Sequence, residues 1–184
     1  MNNSAPTDTS VSTSDSIPSL PDLRVFQVHG HRGLGIEKPE NTITAFKESI
    51  QMGLDFVETD IWLTKDLVPV VIHCDTVLGY CKMRTIADHT PKEIYITKIT
   101  YHDLQQLEYM KSEERVPTFE EVVLLFKNTT TKINCEIKDW NKKTIPLTLD
   151  IIIKHDIVNS IFFSSFVHKN RLILFEEEKK KKIE

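Results

Sequence analysis

The sequence predicts an α/β domain built on a mainly parallel sheet. Two observations carry this expectation. Short runs rich in β-branched and aromatic residues alternate along the chain with segments of helical hydrophobic period, and the polar residues of chemical interest fall at the ends of predicted strands or in the loops behind them. Strands separated by helices imply βαβ units, whose crossovers make neighbouring strands parallel. With 184 residues, 40 % of them hydrophobic, the chain has material for one domain with a real core.

In chain order, RVFQVHG (24–30) reads as a strand ending in glycine. After the loop RGLGIEKPEN comes TITAFKESIQMG, with Ile43, Phe46 and Ile50 at helical spacing and Gly53 as a stop. LDFVETDIWL and VPVVIH are strands joined by the turn-like TKDL. A long irregular stretch from Cys74 to Val116 holds one helical segment, YHDLQQLEYM. PTFEEVVLLFKN opens with Pro117 and a Thr118-x-x-Glu121 capping box, a strong helix start. KINCEIK then reads as strand, TIPLTLDIIIKH as helix and SIFFSSF as strand.

The flanks differ in composition. Residues 1–23 are rich in Ser, Thr and Pro without Lys or Arg, so they lack the basic and apolar regions of a signal peptide and the arginines of a transit peptide, and are expected to form a disordered arm. The folded domain is expected over 24–175, and 176–184 as a charged tail or helix end. A formal net charge of −4, from 23 basic and 27 acidic side chains, carries no footprint for nucleic acid or an anionic membrane. No apolar run is long enough to span a bilayer. Cys74, Cys81 and Cys135 are odd in number and lack C-x-x-C spacing, so they read as reduced thiols in the cytoplasm.

Alternate residues of a strand share a face, so Glu58 and Asp60 project together, as do Glu136 and Lys138. An ionised carboxylate among apolar neighbours needs a cation, a hydrogen-bond network or water. One hard divalent cation would satisfy all three carboxylates, and oxygen-only ligation points to Mg²⁺ or Ca²⁺.

GHRG followed by PENT, then VETDIWLTKD, VPVVIH, VPTFEEV and NCEIK, in that order, resembles the glycerophosphodiester phosphodiesterase family from about Val25 to Phe166. The resemblance implies a (β/α)₈ barrel that hydrolyses glycerophosphodiesters to an alcohol and glycerol 3-phosphate with a divalent metal; related barrels act on lysophospholipids. It places the catalytic histidines at His31 and His73 and the metal ligands at Glu58, Asp60 and Glu136. Arg32 and Lys138 match phosphate-holding positions, with Glu40 supporting the first loop. Histidine is the side chain whose unperturbed pKa lies near neutrality, so a pair of them suits a divided acid and base role. His29 is expected to be a deeper, hydrogen-bonded histidine.

Two departures from the family pattern stand out. HCDT puts Cys74 where the family has an Asp directly after the second histidine. A complete barrel typically takes about 250 residues, whereas this chain offers roughly the first five strands. The expectation is therefore a truncated barrel, completed by a missing C-terminal segment or a partner, with a non-catalytic remnant as the alternative to an active enzyme.

Overall fold

The structure, a computed structural model, describes residues 26–34, 38–77, 83–85, 93–110 and 112–181. The expected N-terminal arm, Cys81 and His89 lie outside these residues. Four strands form a parallel path: β1 (His29–Gly30), β2 (Phe56–Leu63), β6 (Lys132–Ile137) and β7 (Ile161–Ser164), in the order β1-β2-β6-β7. The fifth strand of the sheet, β3 (Pro69–Val71), returns antiparallel onto the end of β2, with Ile61 opposite Val71. A separate hairpin pairs β4 (Met83–Thr85) with β5 (Leu107–Tyr109).

The helices follow local signals in the chain. In α1 (Ile43–Gln51) the Thr42 hydroxyl accepts from the Ala45 N–H, and Gly53 ends the segment at a φ of +67°. In α3 (Phe119–Phe126) the Thr118 side chain accepts from the Glu121 backbone while Glu121 accepts from the Thr118 N–H at 2.7 Å, a complete capping box. The helix α4 (Thr144–His155) ends on Asp156 in the left-handed conformation. The segment of α5 (His168–Lys181) takes in the first charged residues of the C-terminal run, tied back to α4 by Lys181 on Asp150 at 2.5 Å.

Odd-numbered residues of β2 and β6, among them Val57, Ile61, Ile133 and Ile137, face a core closed by Phe46 of α1, Phe119, Val122, Val123 and Phe126 of α3, and Ile145, Leu149 and Ile152 of α4. Burying side chains of this size contributes about 1.5–3 kcal/mol each. That face is what orients the even-numbered residues, including the carboxylates, to the opposite side.

Two segments depart from the sequence expectations. The first strand is shorter than RVFQVHG suggested, because Val28 meets β2 through its carbonyl, which accepts from the N–H groups of Asp55 and Phe56, and not through a continuous ladder. YHDLQQLEYM does not form one helix: α2 (Tyr101–Leu104) makes one turn, and the rest enters β5. There Leu107 and Tyr109 pack into a second core with Val70, Ile72, Met83 and Ile96, and pairing with β4 outweighs local helical preference.

Candidate active site

The site is assembled from three strand ends. Glu58 and Asp60 lie on one face of β2, and the parallel register sets Glu136 of β6 beside Asp60. Carboxylate oxygens of the three residues lie within 4.8 Å of one another. Asp60 is only 1 % exposed and Glu58 and Glu136 are each 12 % exposed. Three carboxylates so close repel unless cations or protons intervene.

Two basic side chains supply part of that compensation. The Lys138 ammonium sits 2.7 Å from Glu136 Oε1 and 3.1 Å from Asp60 Oδ1. Burial alone would lower its pKa, but contact with Glu136 and the charge of Asp60 outweigh it and hold it above the ordinary lysine range. Arg32 Nη1 donates to Glu40 Oε2 at 2.9 Å, and Arg32 Nε lies 3.6 Å from Asp60 Oδ2. Burial opposes its charge as well, and Glu40, Asp60 and Glu58 together hold it raised.

The glycines of GHRG have steric reasons. A Cβ on Gly30 would stand 2.8 Å from Leu54 Cδ1, and one on Gly33, whose φ is +82°, would stand 2.8 Å from the Ala45 Cβ. Between them Arg32 takes a φ of +54°, which aims its backbone N–H at Glu58 Oε2, 2.9 Å away. The loop closes where the Asn41 N–H donates to the Arg32 carbonyl at 2.9 Å.

Asn41 was not singled out in the sequence. Fully buried, with a φ of +58°, it donates from Nδ2 to Asp60 Oδ2 at 2.8 Å. Asn is among the few residues that tolerate this backbone conformation, and that tolerance was the available signal.

His31 and Glu40 join the cluster directly. The His31 ring is 73 % exposed, with Nε2 4.0 Å from Glu58 Oε2. A cavity of about 330 Å³ is lined by residues 29–34 and Glu40. His73 follows β3, whose next residue Ile72 donates its N–H to the Asp60 carbonyl at 3.0 Å. The His73 carbonyl lies 3.4 Å from Trp62 Nε1, and its Nδ1 is 3.9 Å from Cys74 Sγ. His29 is not the buried, hydrogen-bonded residue expected; it is exposed and stacks on Phe56, ring centroids 4.5 Å apart.

Glu58 shows what the arrangement lacks. Its Oε1 is buried without a hydrogen-bond partner, and burial followed by the charge of Asp60 pushes the carboxyl up to about 8. Counted as ionised groups, Glu40, Glu58, Asp60 and Glu136 face two cations, Arg32 and Lys138, and the proton that Glu58 retains up to about 8 relieves part of that excess; the donor atoms of the three clustered acids are all oxygens. That set fits a hard divalent ion.

A largely parallel sheet with helices packed on one face and a charged cluster on the other is the layout of an α/β fold whose site lies at its strand ends. Within that class the chain belongs to the glycerophosphoryl diester phosphodiesterase family, whose model matches residues 31–181. It is 36 % identical over 118 residues to a glycerophosphodiester phosphodiesterase of Caldanaerobacter subterraneus, covering 60 % of this chain and 44 % of that one. A glycerophosphodiester phosphodiesterase of Agrobacterium tumefaciens shares the fold at a TM-score of 0.70 and 19 % identity, covering 84 % of this chain and 64 % of that one. An Oleispira antarctica phosphodiesterase, in complex with the product sn-glycerol-3-phosphate, matches at a TM-score of 0.66 and 25 % identity, covering 84 % and 61 %. The sheet is thus part of a (β/α)₈ barrel, and the chain spans less than two thirds of the length of each of these three proteins.

Proposed function

We propose that the protein is a divalent-cation-dependent phosphodiesterase that hydrolyses glycerophosphodiesters to an alcohol and glycerol 3-phosphate. The observation that carries this reading is the convergence of Glu58, Asp60 and Glu136 within 4.8 Å, bordered by Arg32 and Lys138, in a member of this family. Glu58, Asp60 and Glu136 would hold Mg²⁺ or Ca²⁺. When bound, the ion supplies Lewis-acid stabilisation of charge developing on the phosphoryl oxygens.

The chain's own residues account for the rest of the chemistry. Arg32 and Lys138 hold the remaining phosphate oxygens as charge-assisted donors, Arg32 being kept in place by Glu40. Of His31 and His73, one accepts a proton as the nucleophilic oxygen attacks phosphorus, and the other gives one to the departing alkoxide, so the alcohol leaves neutral. The exposure of His31 at the rim of the cluster suits contact with an ester oxygen.

Among the described residues no helix is long and apolar enough to cross a membrane, and we place the protein in the cytoplasm with a small-molecule diester as its partner. The test is product analysis: incubation with glycerophosphocholine, glycerophosphoethanolamine or glycerophosphoinositol and Mg²⁺ should release the free alcohol together with glycerol 3-phosphate. Release of neither product from any of these diesters would contradict the proposal.

A further inference from the structure

We propose that Asp139 is a positioning residue that holds Lys138 in place for a phosphate oxygen. The inference rests on the phosphodiesterase reading above and extends it to a side chain on the helix side of the strand end, outside the charged cluster.

Lys138 stands where the sheet stops supporting the chain. The parallel ladder between β2 and β6 ends with Ile61 opposite Ile137, and the Lys138 N–H, donated to the Ile61 carbonyl at 3.1 Å, is the last backbone bond between the two strands. A lysine ammonium sits on a flexible four-carbon stem. Its aim at Asp60 and Glu136 therefore depends on how firmly the main chain is held at this point.

Asp139 continues the ladder with its side chain. Its Oδ2 accepts from the Leu63 N–H of β2 at 3.2 Å and from the Thr144 hydroxyl, in the first turn of α4, at 3.2 Å. Its Oδ1 accepts from the Asn141 N–H at 2.9 Å. One carboxylate thus ties together the end of β2, the loop after β6 and the start of α4, next to Lys138 in the chain. Successive residues of an extended chain point to opposite faces, so Asp139 grips α4 while Lys138 reaches the carboxylates.

The chemistry of this grip requires an acid. Asp139 is 4 % exposed and Thr144 is fully buried, and a carboxylate is costly to bury unless it is hydrogen-bonded. The donors to its side chain among the described residues are two backbone N–H groups and a hydroxyl, and an ionised carboxylate is the group of this size that only accepts. The amide of Asp139→Asn would turn an NH₂ group toward one of those donors. A phosphate contact made equally with bound substrate and transition state lowers KM without altering kcat, and that split is the signature of a residue acting through Lys138.

The experiment measures kcat and KM for a glycerophosphodiester at saturating Mg²⁺, and the inhibition constant of glycerol 3-phosphate, in the wild-type chain, Asp139→Asn, Lys138→Ala and the double variant. Asp139→Asn should raise KM and the inhibition constant about 10-fold, within the range for a hydrogen bond to a charged group, with kcat changed less. In the Lys138→Ala background the same substitution should raise neither further. Equal factors in both backgrounds, or a loss confined to kcat, overturn the role of Asp139 while leaving the phosphodiesterase reading intact. Thr144→Val keeps nearly the same side-chain volume and removes one donor, so it should shift KM in the same direction by a smaller factor. It carries the test where Asp139→Asn does not fold, and an unchanged KM there overturns the proposal. Wild-type turnover of no glycerophosphodiester overturns the phosphodiesterase reading and the role of Asp139 with it.

Discussion

The Asn41 side chain donates a 2.8 Å hydrogen bond to Oδ2 of Asp60 across a fully buried gap between the first loop and β2. This bond fixes the least exposed carboxylate of the cluster, and the Asn41 backbone holds the loop carrying Arg32 at the same point.

Asn41→Ala removes the donor and puts a Cβ-bearing residue without a local polar partner at a φ of +58°. Asn41→Gly removes the donor and tolerates the backbone. Losing a buried hydrogen bond to a charged group costs about 1–3 kcal/mol, and the left-handed conformation costs alanine roughly 1 kcal/mol more than glycine. Urea unfolding should therefore rank the stabilities wild type above Asn41→Gly above Asn41→Ala.

Glu58 predicts a pH dependence. Burial and the Asp60 charge raise its carboxyl to about 8 although the Arg32 N–H bond works in the other direction. The unfolded chain releases this proton near 4.5, so between about 4.5 and 8 the unfolded state binds fewer protons than the folded one. The Glu58 contribution to stability thus falls as pH rises through that window and levels off above it. A divalent ion competes with the same proton, so its affinity should rise with pH up to about 8. Thermal unfolding with and without Mg²⁺ should give a larger ion-induced increase in Tm at alkaline than at acid pH, and Glu58→Gln should flatten that difference.

Much of the fold was legible because its signals are local. Thr118 and Glu121 announce α3 from four residues, and the 144–155 segment carries a helical period over its whole length. The failure at YHDLQQLEYM has the opposite cause. Tyr101, Leu104 and Leu107 are spaced like one helix face, but β5 is specified by pairing with Met83–Thr85, some two dozen residues earlier in the chain. For the site, period-two alternation placed Glu58 with Asp60 on one face; that Glu136 stands beside Asp60 depends on the register between β2 and β6, which neither strand reveals alone. Asn41 escaped notice because it carries no charge, and its importance comes from the partner that folding brings to it.

The two histidines are separable by kinetics. His31→Ala and His73→Ala should each lower kcat by roughly 10²-fold or more, the range for loss of a general acid or base. Because neither ring holds the phosphate in this account, KM should change much less. A variant whose rate matches the wild type would remove that histidine from the chemistry.

The central claim is that three carboxylates hold a divalent ion on which diester hydrolysis depends. Its most direct measurement is the initial rate of glycerol 3-phosphate formation from a glycerophosphodiester, first with Mg²⁺ or Ca²⁺, then in excess chelator, then after the ion is restored. Turnover that stops in chelator, returns with the ion, and is absent in Glu58→Gln, Asp60→Asn and Glu136→Gln is the predicted result. Undiminished turnover in chelator would contradict it.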